Sequence, residues 1–289
     1  MTAALTLTGL GHRYPGRGWA LQDCSAAVPA GRVVALVGPN GAGKTTLLNL
    51  AVGLLRPTAG TVQVAGRAPG RQLAKIGYVA QDAPLWPRLR VADVLELGRC
   101  MNSRFDAQLA EARVRALEIP PRARINSLSG GQRAQVALTL VLAKRPELLL
   151  LDEPLANLDP LARREFLTSM FATCADDGVA VLFSSHVIAE LERICDYLIV
   201  LSAGRVQVAG DIDDLRASHR VLSGPLDWPH RSGISVVSST NTAGRTTALV
   251  RLDSEANIGP GFEEAEPTFD ELTLGYLAAP RQQRSEVPA

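Results

Sequence analysis

The chain has 289 residues, a length that allows one large domain or two of ordinary size. Apolar residues make up 46% and charged residues 20%, a composition typical of a globular protein and unlike that of a disordered chain. The 30 basic and 29 acidic residues leave a net charge of +1, so charge gives no reason to expect nucleic acid or an anionic membrane as a partner.

The sequence is typical of a cytoplasmic chain. Its longest nearly unbroken apolar stretch, residues 136–143, is far shorter than the roughly 20 residues that a transmembrane helix requires. Residues 1–10 lack a basic segment followed by an apolar core, so we expect no signal peptide. The cysteines are widely separated, which favours free, buried thiols in a reducing compartment over a metal site. They are Cys24, Cys100, Cys174 and Cys195.

The first half of the chain predicts an α/β domain with a largely parallel sheet. Continuous apolar runs of strand length, typical of strands buried on both faces, occur at residues 33–37, 148–151 and 179–183. A predicted helix at residues 45–54 follows the first run directly. Polar residues follow the runs, at the carboxyl ends of strands where such sheets bind ligands.

Two further regions complete the predicted organisation. Residues 84–145 carry apolar side chains at helical spacing, which predicts a helical subdomain inserted into the sheet domain. After residue 211 the composition shifts towards Ser, Thr, Gly and Pro; residues 248–252 alternate like a strand, and Thr268 with Glu271 predicts a helix start. We therefore divide the chain into a domain at 1–215 and a small α+β extension at 216–289 that ends in a polar tail.

Residues 38–45 fit the phosphate-loop pattern G-x-x-x-x-G-K-[ST] in full, between an apolar strand and a helix. Glycines in such a loop let backbone N–H groups turn towards phosphate oxygens, and the helix start adds its positive end. We expect Lys44 to reach the β- and γ-phosphates and Thr45 to bind Mg²⁺. An ordinary glycine turn is the alternative. The predicted nucleotide-binding residues here are Gly38, Pro39, Asn40, Gly41, Ala42, Gly43, Lys44, Thr45 and Thr46.

Two carboxylates follow the apolar run at 148–151. Asp152 stands at the predicted strand tip, where it can hold Mg²⁺ directly or through water. Glu153 is one step further and faces a different direction, so it can polarise an attacking water. In isolation such a pair is a solvated strand end, and the upstream phosphate loop is what favours the catalytic interpretation.

Residues 128–132 read Leu-Ser-Gly-Gly-Gln and precede a predicted helix. Together with the phosphate loop and residues 148–154, this segment makes the chain resemble the nucleotide-binding domain of ATP-binding-cassette (ABC) transporters, whose signature it is. Serine and glycines at a helix start form a second anion site, suited to a γ-phosphate; alone, they would be a flexible turn. The matching positions are Ser129, Gly130, Gly131 and Gln132.

The resemblance covers residues 4–215 and implies roles for further positions. Gln81 matches the family's Q-loop glutamine, which senses Mg²⁺ and water; Asp159, with Asn157, matches the D-loop at the dimer interface. His186 matches the switch histidine near the γ-phosphate. Tyr14, which precedes the first predicted strand, matches the aromatic that stacks on adenine, and Trp19 is a rival for that role.

The resemblance implies an ATPase subunit that powers an export-type transporter. Its expected ligands are ATP and Mg²⁺, with Glu153 as general base and with Lys44, Gln81 and His186 completing the catalytic set. Its expected partners are a second ATP-binding subunit, as a homodimer, and separate transmembrane permease subunits that hold it on the inner face of the membrane. The extension resembles that of the multidrug and antibiotic export branch, or it only stabilises the core or the dimer.

Two other classes of the superfamily fit the sequence less well. Ribosome-acting members carry two cassettes in one chain, whereas one phosphate loop occurs here. DNA-repair or chromosome-organising members place long heptad segments or zinc-binding cysteines between the motifs, and the sequence has neither, nor a basic surface charge.

Overall fold

The computed structural model describes residues 3–81, 84–156, 158–188, 191–225, 233–242, 245–253, 258 and 261–279. This part of the chain forms two compact units. One consists of Met1–Val187 with Ile194–Ala209, and the other of Ile188–Arg193 with Gly210–Ala289. The predicted polar tail after residue 280 lies outside the described residues.

The first unit is built around a sheet with the strand order β5-β6-β7-β3-β8-β9. Strands β5, β6, β7, β3 and β8 pair in parallel, as the buried apolar runs predict. The strands are β3 (Val33–Val37), β5 (Ile76–Val79), β6 (Leu148–Asp152), β7 (Ala180–Ser185), β8 (Tyr197–Ser202) and β9 (Arg205–Asp211).

An antiparallel sheet, absent from the predicted organisation, accompanies the parallel one. Its strands β1 (Ala3–Tyr14), β2 (Gly18–Pro29) and β4 (Ala59–Val64) are ordered β2-β1-β4. Helix α1 (Lys44–Ala51) shares one hydrophobic core with both sheets, in which side chains such as Leu10, Leu47 and Leu182 are at most 1% exposed. Burial of this apolar surface fixes α1, and with it the phosphate loop, against the sheet edge.

The predicted helical subdomain is present. It contains α2 (Val91–Met101), α3 (Ala107–Ala116) and α4 (Gly130–Ala143), which pack on a core of their own that includes Val94, Val114 and Val136. Helix α5 (Pro160–Asp177) follows β6. Asp159 begins α5: its Oδ1 accepts the N–H groups of Leu161 and Ala162 at 3.0 Å.

The second unit is an antiparallel sheet with helices, in line with the α+β prediction. Its strands are ordered β11-β12-β10-β13 and pack around Leu222, Ala248 and Val250. The predicted capping box begins the last helix, where Thr268 Oγ1 accepts the Glu271 N–H at 3.1 Å. The elements are α6 (Ile212–Ser218), β10 (His219–Pro225), β11 (Ile234–Thr242), β12 (Arg245–Leu252), β13 (Glu263–Ala265) and α7 (Phe269–Ala278).

Two expectations need correction. Cys24 and Cys174 are buried free thiols, but Cys100 is exposed on α2 and Cys195 is half-buried. Tyr14 does not precede the first strand: it ends β1, which the sequence reading missed. Within the described part of the chain, no helix is long and apolar enough to cross a membrane.

Candidate active site

The predicted site residues meet at one edge of the parallel sheet. Because β5, β6, β7 and β3 are parallel neighbours, their carboxyl ends lie side by side. Gln81 lies beyond β5, Asp152 and Glu153 lie at the end of β6, and His186 follows β7. The phosphate loop leaves β3 at the same edge.

The phosphate loop has the backbone geometry that its glycines permit. Gly43 adopts a left-handed φ of 108° just before α1, and a Cβ there would lie 2.6 Å from Leu21 Cδ2 and 2.7 Å from the Ala20 carbonyl oxygen. A Cβ at Gly38 would lie 2.2 Å from the Leu201 carbonyl oxygen. No side chain caps the start of α1 and its first turn has no acidic residue, so its first N–H groups suit an anion.

Lys44 lies inside this loop, only 5% exposed. Its Nζ donates to the carbonyl oxygens of Gly38 at 2.7 Å and Pro39 at 3.3 Å. The same Nζ forms an ion pair with Glu153 Oε1 at 3.1 Å. The loop therefore holds the Lys44 ammonium group beside Glu153, the predicted general base.

Glu153 joins Lys44 to His186, the predicted switch histidine. Its Oε2 lies 2.9 Å from His186 Nδ1, so the carboxylate has a different partner on each oxygen. The Glu153 side chain is 12% exposed, whereas that of His186 is 45% exposed. Glu153 also has a left-handed φ of 46°, a strained conformation for a non-glycine residue that is typical of functional sites.

Asp152 is fully buried and only half satisfied. Its Oδ1 accepts the Ser184 hydroxyl at 2.9 Å, while Oδ2 has no hydrogen-bond partner among the described residues. Burial raises the pKa of Tyr78 to about 12, and the negative charge of Asp152 adds to this rise. A buried carboxylate oxygen without a donor is costly, and a bound cation would satisfy it.

These residues fit a Mg²⁺ ion held by oxygen ligands. Thr45, at the start of α1, and Gln81, beyond β5, are exposed and offer a hydroxyl and an amide oxygen at the sheet edge where β6 ends in Asp152. No cluster of three or more His, Cys, Asp or Glu residues suited to a metal occurs in the described ranges. Hydroxyl, amide and carboxylate oxygens are ligands that suit a hard cation that keeps several waters, as Mg²⁺ does.

The signature segment forms a rigid helix start. Ser129 Oγ accepts the Gln132 N–H at 3.1 Å, and Gln132 Oε1 accepts the Ser129 N–H at 3.1 Å. A Cβ at Gly131 would lie 3.0 Å from the Ala162 Cβ, a tight contact, so glycine eases the close approach of α4 to α5. Ser129 and Asp159 line one pocket of about 180 Å³. Asn157 lies outside the described residues.

The structure places Tyr14 beside the start of α1. Its hydroxyl lies 3.4 Å from Thr46 Oγ1, and its ring meets His12 edge-on at 4.7 Å. Thr46 is 8% exposed, and Trp19 is 46% exposed on the neighbouring strand. Stacking of adenine on Tyr14 or on Trp19 stays a prediction.

Sequence reasoning missed Ser184, whose hydroxyl contacts the Asp152 carboxylate and the backbone N–H of Glu153. The available signal was a polar Ser-Ser-His run directly after the apolar residues of the predicted strand. A polar side chain at the carboxyl end of a buried parallel strand belongs to the ligand-binding edge.

The helical subdomain carries a separate groove of about 520 Å³ between α2 and α3. Its floor is apolar, with Leu95 and Val114 among the lining residues, and its rim is charged. Trp86, in the segment before α2, is 55% exposed. The neighbouring Leu85 packs against the helical core, whereas Trp86 is not buried in that core.

Comparison with known proteins gives one consistent family. A family model described as ABC transporter matches residues 21–156. The iron import ATP-binding protein FbpC 2 of Rhodococcus jostii is 35% identical over 84% of this chain and 71% of its own length. The molybdenum import ATP-binding protein ModC of Rhodobacter capsulatus is 39% identical over 71% of this chain, and the match spans 59% of that relative.

Solved structures give the same result. A structure described as the ATP-binding subunit of an ABC transporter superposes with a TM-score of 0.67 and 30% identity, over 74% of this chain and 92% of its own. The dimeric bacterial ABC transporter cassette MJ0796 has a TM-score of 0.65 and 26% identity, over 72% of this chain and 98% of its own. The two relatives matched by sequence are named as importers, so they do not support the expected export branch.

Proposed function

Because the chain belongs to the family of ABC transporter ATP-binding subunits and is an ATPase of that family, we propose that it powers a transporter through separate membrane-spanning permease subunits. The observation that carries the proposal is the contact chain from Lys44 through Glu153 to His186, next to the unsatisfied oxygen of buried Asp152. Phosphoryl transfer to water requires a cation, a base and a metal ligand at one place, and the sheet edge assembles all three.

Each of these residues has a defined part in ATP hydrolysis. Lys44 exchanges Glu153 for the β- and γ-phosphates when ATP enters the loop, which leaves the Glu153 carboxylate to accept a proton from the attacking water. His186 holds the other Glu153 oxygen and orients it. Thr45 and Asp152, with Gln81, would hold the Mg²⁺ that neutralises phosphate charge.

We further propose that two copies of the chain share each ATP. The phosphate loop and the Ser129 helix start are both anion sites, and one γ-phosphate has few oxygens for two such sites. Two copies related by two-fold symmetry could place them on opposite sides of the same phosphate. Closure around ATP and reopening after hydrolysis would then move the permease.

The groove between α2 and α3 is our proposed permease-binding site. An apolar floor with a charged rim suits an amphipathic helix. Trp86 does not line the groove; it is large and exposed, between Leu85 and Pro87 in the segment that leads into α2, and we propose that this segment forms part of the same docking surface. Aromatic side chains of this kind commonly dominate the energy of an interface.

Replacing Trp86 with alanine tests this docking proposal. Loss of an aromatic anchor costs about 2 kcal/mol or more, about 30-fold in affinity. We expect Trp86→Ala to weaken co-purification with the membrane subunits and to leave the ATPase activity of the isolated chain unchanged. Met101→Ala is the matched control, since Met101 is also a large exposed side chain, 71% exposed, but stands at the opposite end of α2 from the segment that carries Trp86. Equal losses in both variants, or none in either, would contradict the proposal.

We propose export as the direction of transport, on the ground of the C-terminal extension at residues 216–289. The names of the importing relatives point the other way, so the genes beside this one provide the cheapest test. An importer of the relatives' kind would be accompanied by a gene for an external substrate-binding protein; an exporter would have permease genes without one.

A further inference from the structure

One buried hydroxyl connects the two carboxylate residues of the site. Ser184 lies on β7 opposite Asp152 of β6 and is fully buried. Its Oγ donates to Asp152 Oδ1 at 2.9 Å and accepts the Glu153 N–H at 2.9 Å. The Ser184 carbonyl oxygen also accepts that N–H, at 3.2 Å.

We propose that Ser184 is a positioning residue for ATP hydrolysis, which fixes the Asp152 carboxylate for Mg²⁺ and the Glu153 backbone for catalysis. The inference rests on the proposed function, because the Mg²⁺ and ATP it concerns are those of the site described above. Ser184 itself touches neither the metal nor the substrate; it acts through its two neighbours.

The first part of the argument concerns Asp152. A hydroxyl has one hydrogen, and here it is given to Oδ1, so that oxygen is occupied and the carboxylate cannot rotate freely. The other oxygen, Oδ2, is the one left without a partner among the described residues. Groups that hydrogen-bond a metal-binding carboxylate in this way set its orientation and raise metal affinity.

The second part concerns Glu153. Its left-handed φ of 46° persists only if the surroundings hold it. Its N–H is held by both the hydroxyl and the carbonyl oxygen of Ser184. From this backbone position the side chain reaches Lys44 and His186, so the serine sets where the base stands.

The adjacent Ser185 provides a matched control on the same strand. It is also buried, at 6% exposure, but its hydroxyl pairs with the backbone of Val187, accepting the N–H at 2.9 Å. Its hydroxyl also donates to the Val187 carbonyl oxygen at 3.3 Å, so its hydrogen bonds are to Val187 and not to Asp152 or Glu153. Ser184→Ala and Ser185→Ala each remove one buried hydroxyl from β7. Only Ser184→Ala removes a contact with Asp152 and Glu153.

The test compares the Mg²⁺ requirement of these variants with that of the wild type. Two measurements are made on the full chain: the Mg²⁺ concentration that half-saturates binding of a fluorescent ADP analogue, and the one that half-saturates phosphate release. We expect Ser184→Ala to raise both by about 10–100-fold and to leave ADP binding without Mg²⁺ unchanged. Ser185→Ala should match the wild type in all three.

If Ser184→Ala requires no more Mg²⁺ than Ser185→Ala for half-saturation, the inference is overturned. If Ser184→Ala loses ADP binding without Mg²⁺, and so does not fold, Ser184→Cys decides: it keeps the volume but donates weakly, and a wild-type Mg²⁺ requirement would overturn the inference. A wild type that binds ADP but does not release phosphate would contradict the proposed function instead. The binding measurement would still decide on Ser184, since it needs no turnover.

Discussion

Replacing Glu153 with glutamine is expected to slow hydrolysis and tighten nucleotide binding at the same time. The amide keeps the size of the side chain but does not accept a proton from water. Loss of a general base lowers turnover by about 10²–10⁴-fold, which corresponds to about 3–5 kcal/mol of transition-state stabilisation.

The effect on binding follows from the ion pair with Lys44. At an effective dielectric constant of about 20, unit charges 3.1 Å apart attract by about 5 kcal/mol, and desolvation of the two largely buried groups offsets most of this. We take the net loss as about 1.5 kcal/mol, the lower end for a hydrogen bond to a charged group. Because ATP or ADP no longer has to displace the carboxylate from Lys44, their affinity should rise about tenfold.

One assay measures phosphate release from Mg²⁺-ATP. A second measures ADP binding without Mg²⁺, so that hydrolysis does not affect the measured affinity. His186→Ala is the control, because it removes a partner of Glu153 without touching the contact with Lys44. It should slow hydrolysis and leave ADP affinity unchanged. Turnover of Glu153→Gln near the wild-type rate would refute the assignment of the base, and unchanged or weaker ADP binding would refute the role of the ion pair.

Further predictions concern the loop and the second unit. Gly43→Ala should abolish ADP binding and lower the free energy of unfolding, measured by urea titration, by about 1–3 kcal/mol, because the added Cβ would meet Leu21. Gly66→Ala is the control: Gly66 also has a positive φ, but the space around it is open, so ADP binding should be kept. Burial lowers the pKa of His219, with the charge of Arg251 adding to this and the hydrogen bond to the Leu215 backbone opposing it, so below about pH 6.5 the unfolded chain binds more protons than the folded chain. Stability should therefore fall from pH 7 to pH 5 by up to about 1.4 kcal/mol per unit, and His219→Gln should flatten this slope in thermal unfolding. ADP binding by Gly43→Ala would contradict the first prediction. A dependence of stability on pH as steep in His219→Gln as in the wild type would contradict the second.

Local patterns predicted the parts of the site that depend on neighbouring residues. The phosphate loop, the strand ends at Asp152 and His186 and the capping box at Thr268 are each encoded within a few residues, and each is present. The antiparallel sheet was missed for two reasons: the local β1–β2 hairpin, closed by the turn at residues 15–17, was not recognised, and β1 pairs with β4 some fifty residues away, which leaves little local signal. Contacts between distant side chains, such as Lys44 with Glu153, were unpredicted for the same reason.

The signature segment is the part of the proposed site that depends on a partner chain. The signature segment is predicted from sequence and its helix start is present. In our proposal its action on ATP takes place across two copies of the chain. Two damaged chains can test this. Lys44→Ala removes the cation of the phosphate loop, and Ser129→Arg should obstruct the site of the partner. Either variant alone would form two damaged sites and be inactive.

The measurement that tests the shared site most directly is the ATPase activity of these two variants after mixing. Shared sites predict that activity reappears, because each heterodimer combines one site carrying both lesions with one carrying neither. Subunit exchange is confirmed in the same sample by labelling the two chains. A fusion of two copies with both lesions in one half should be inactive, since it damages both sites. Exchange without recovered activity, together with an active fusion, would contradict the account.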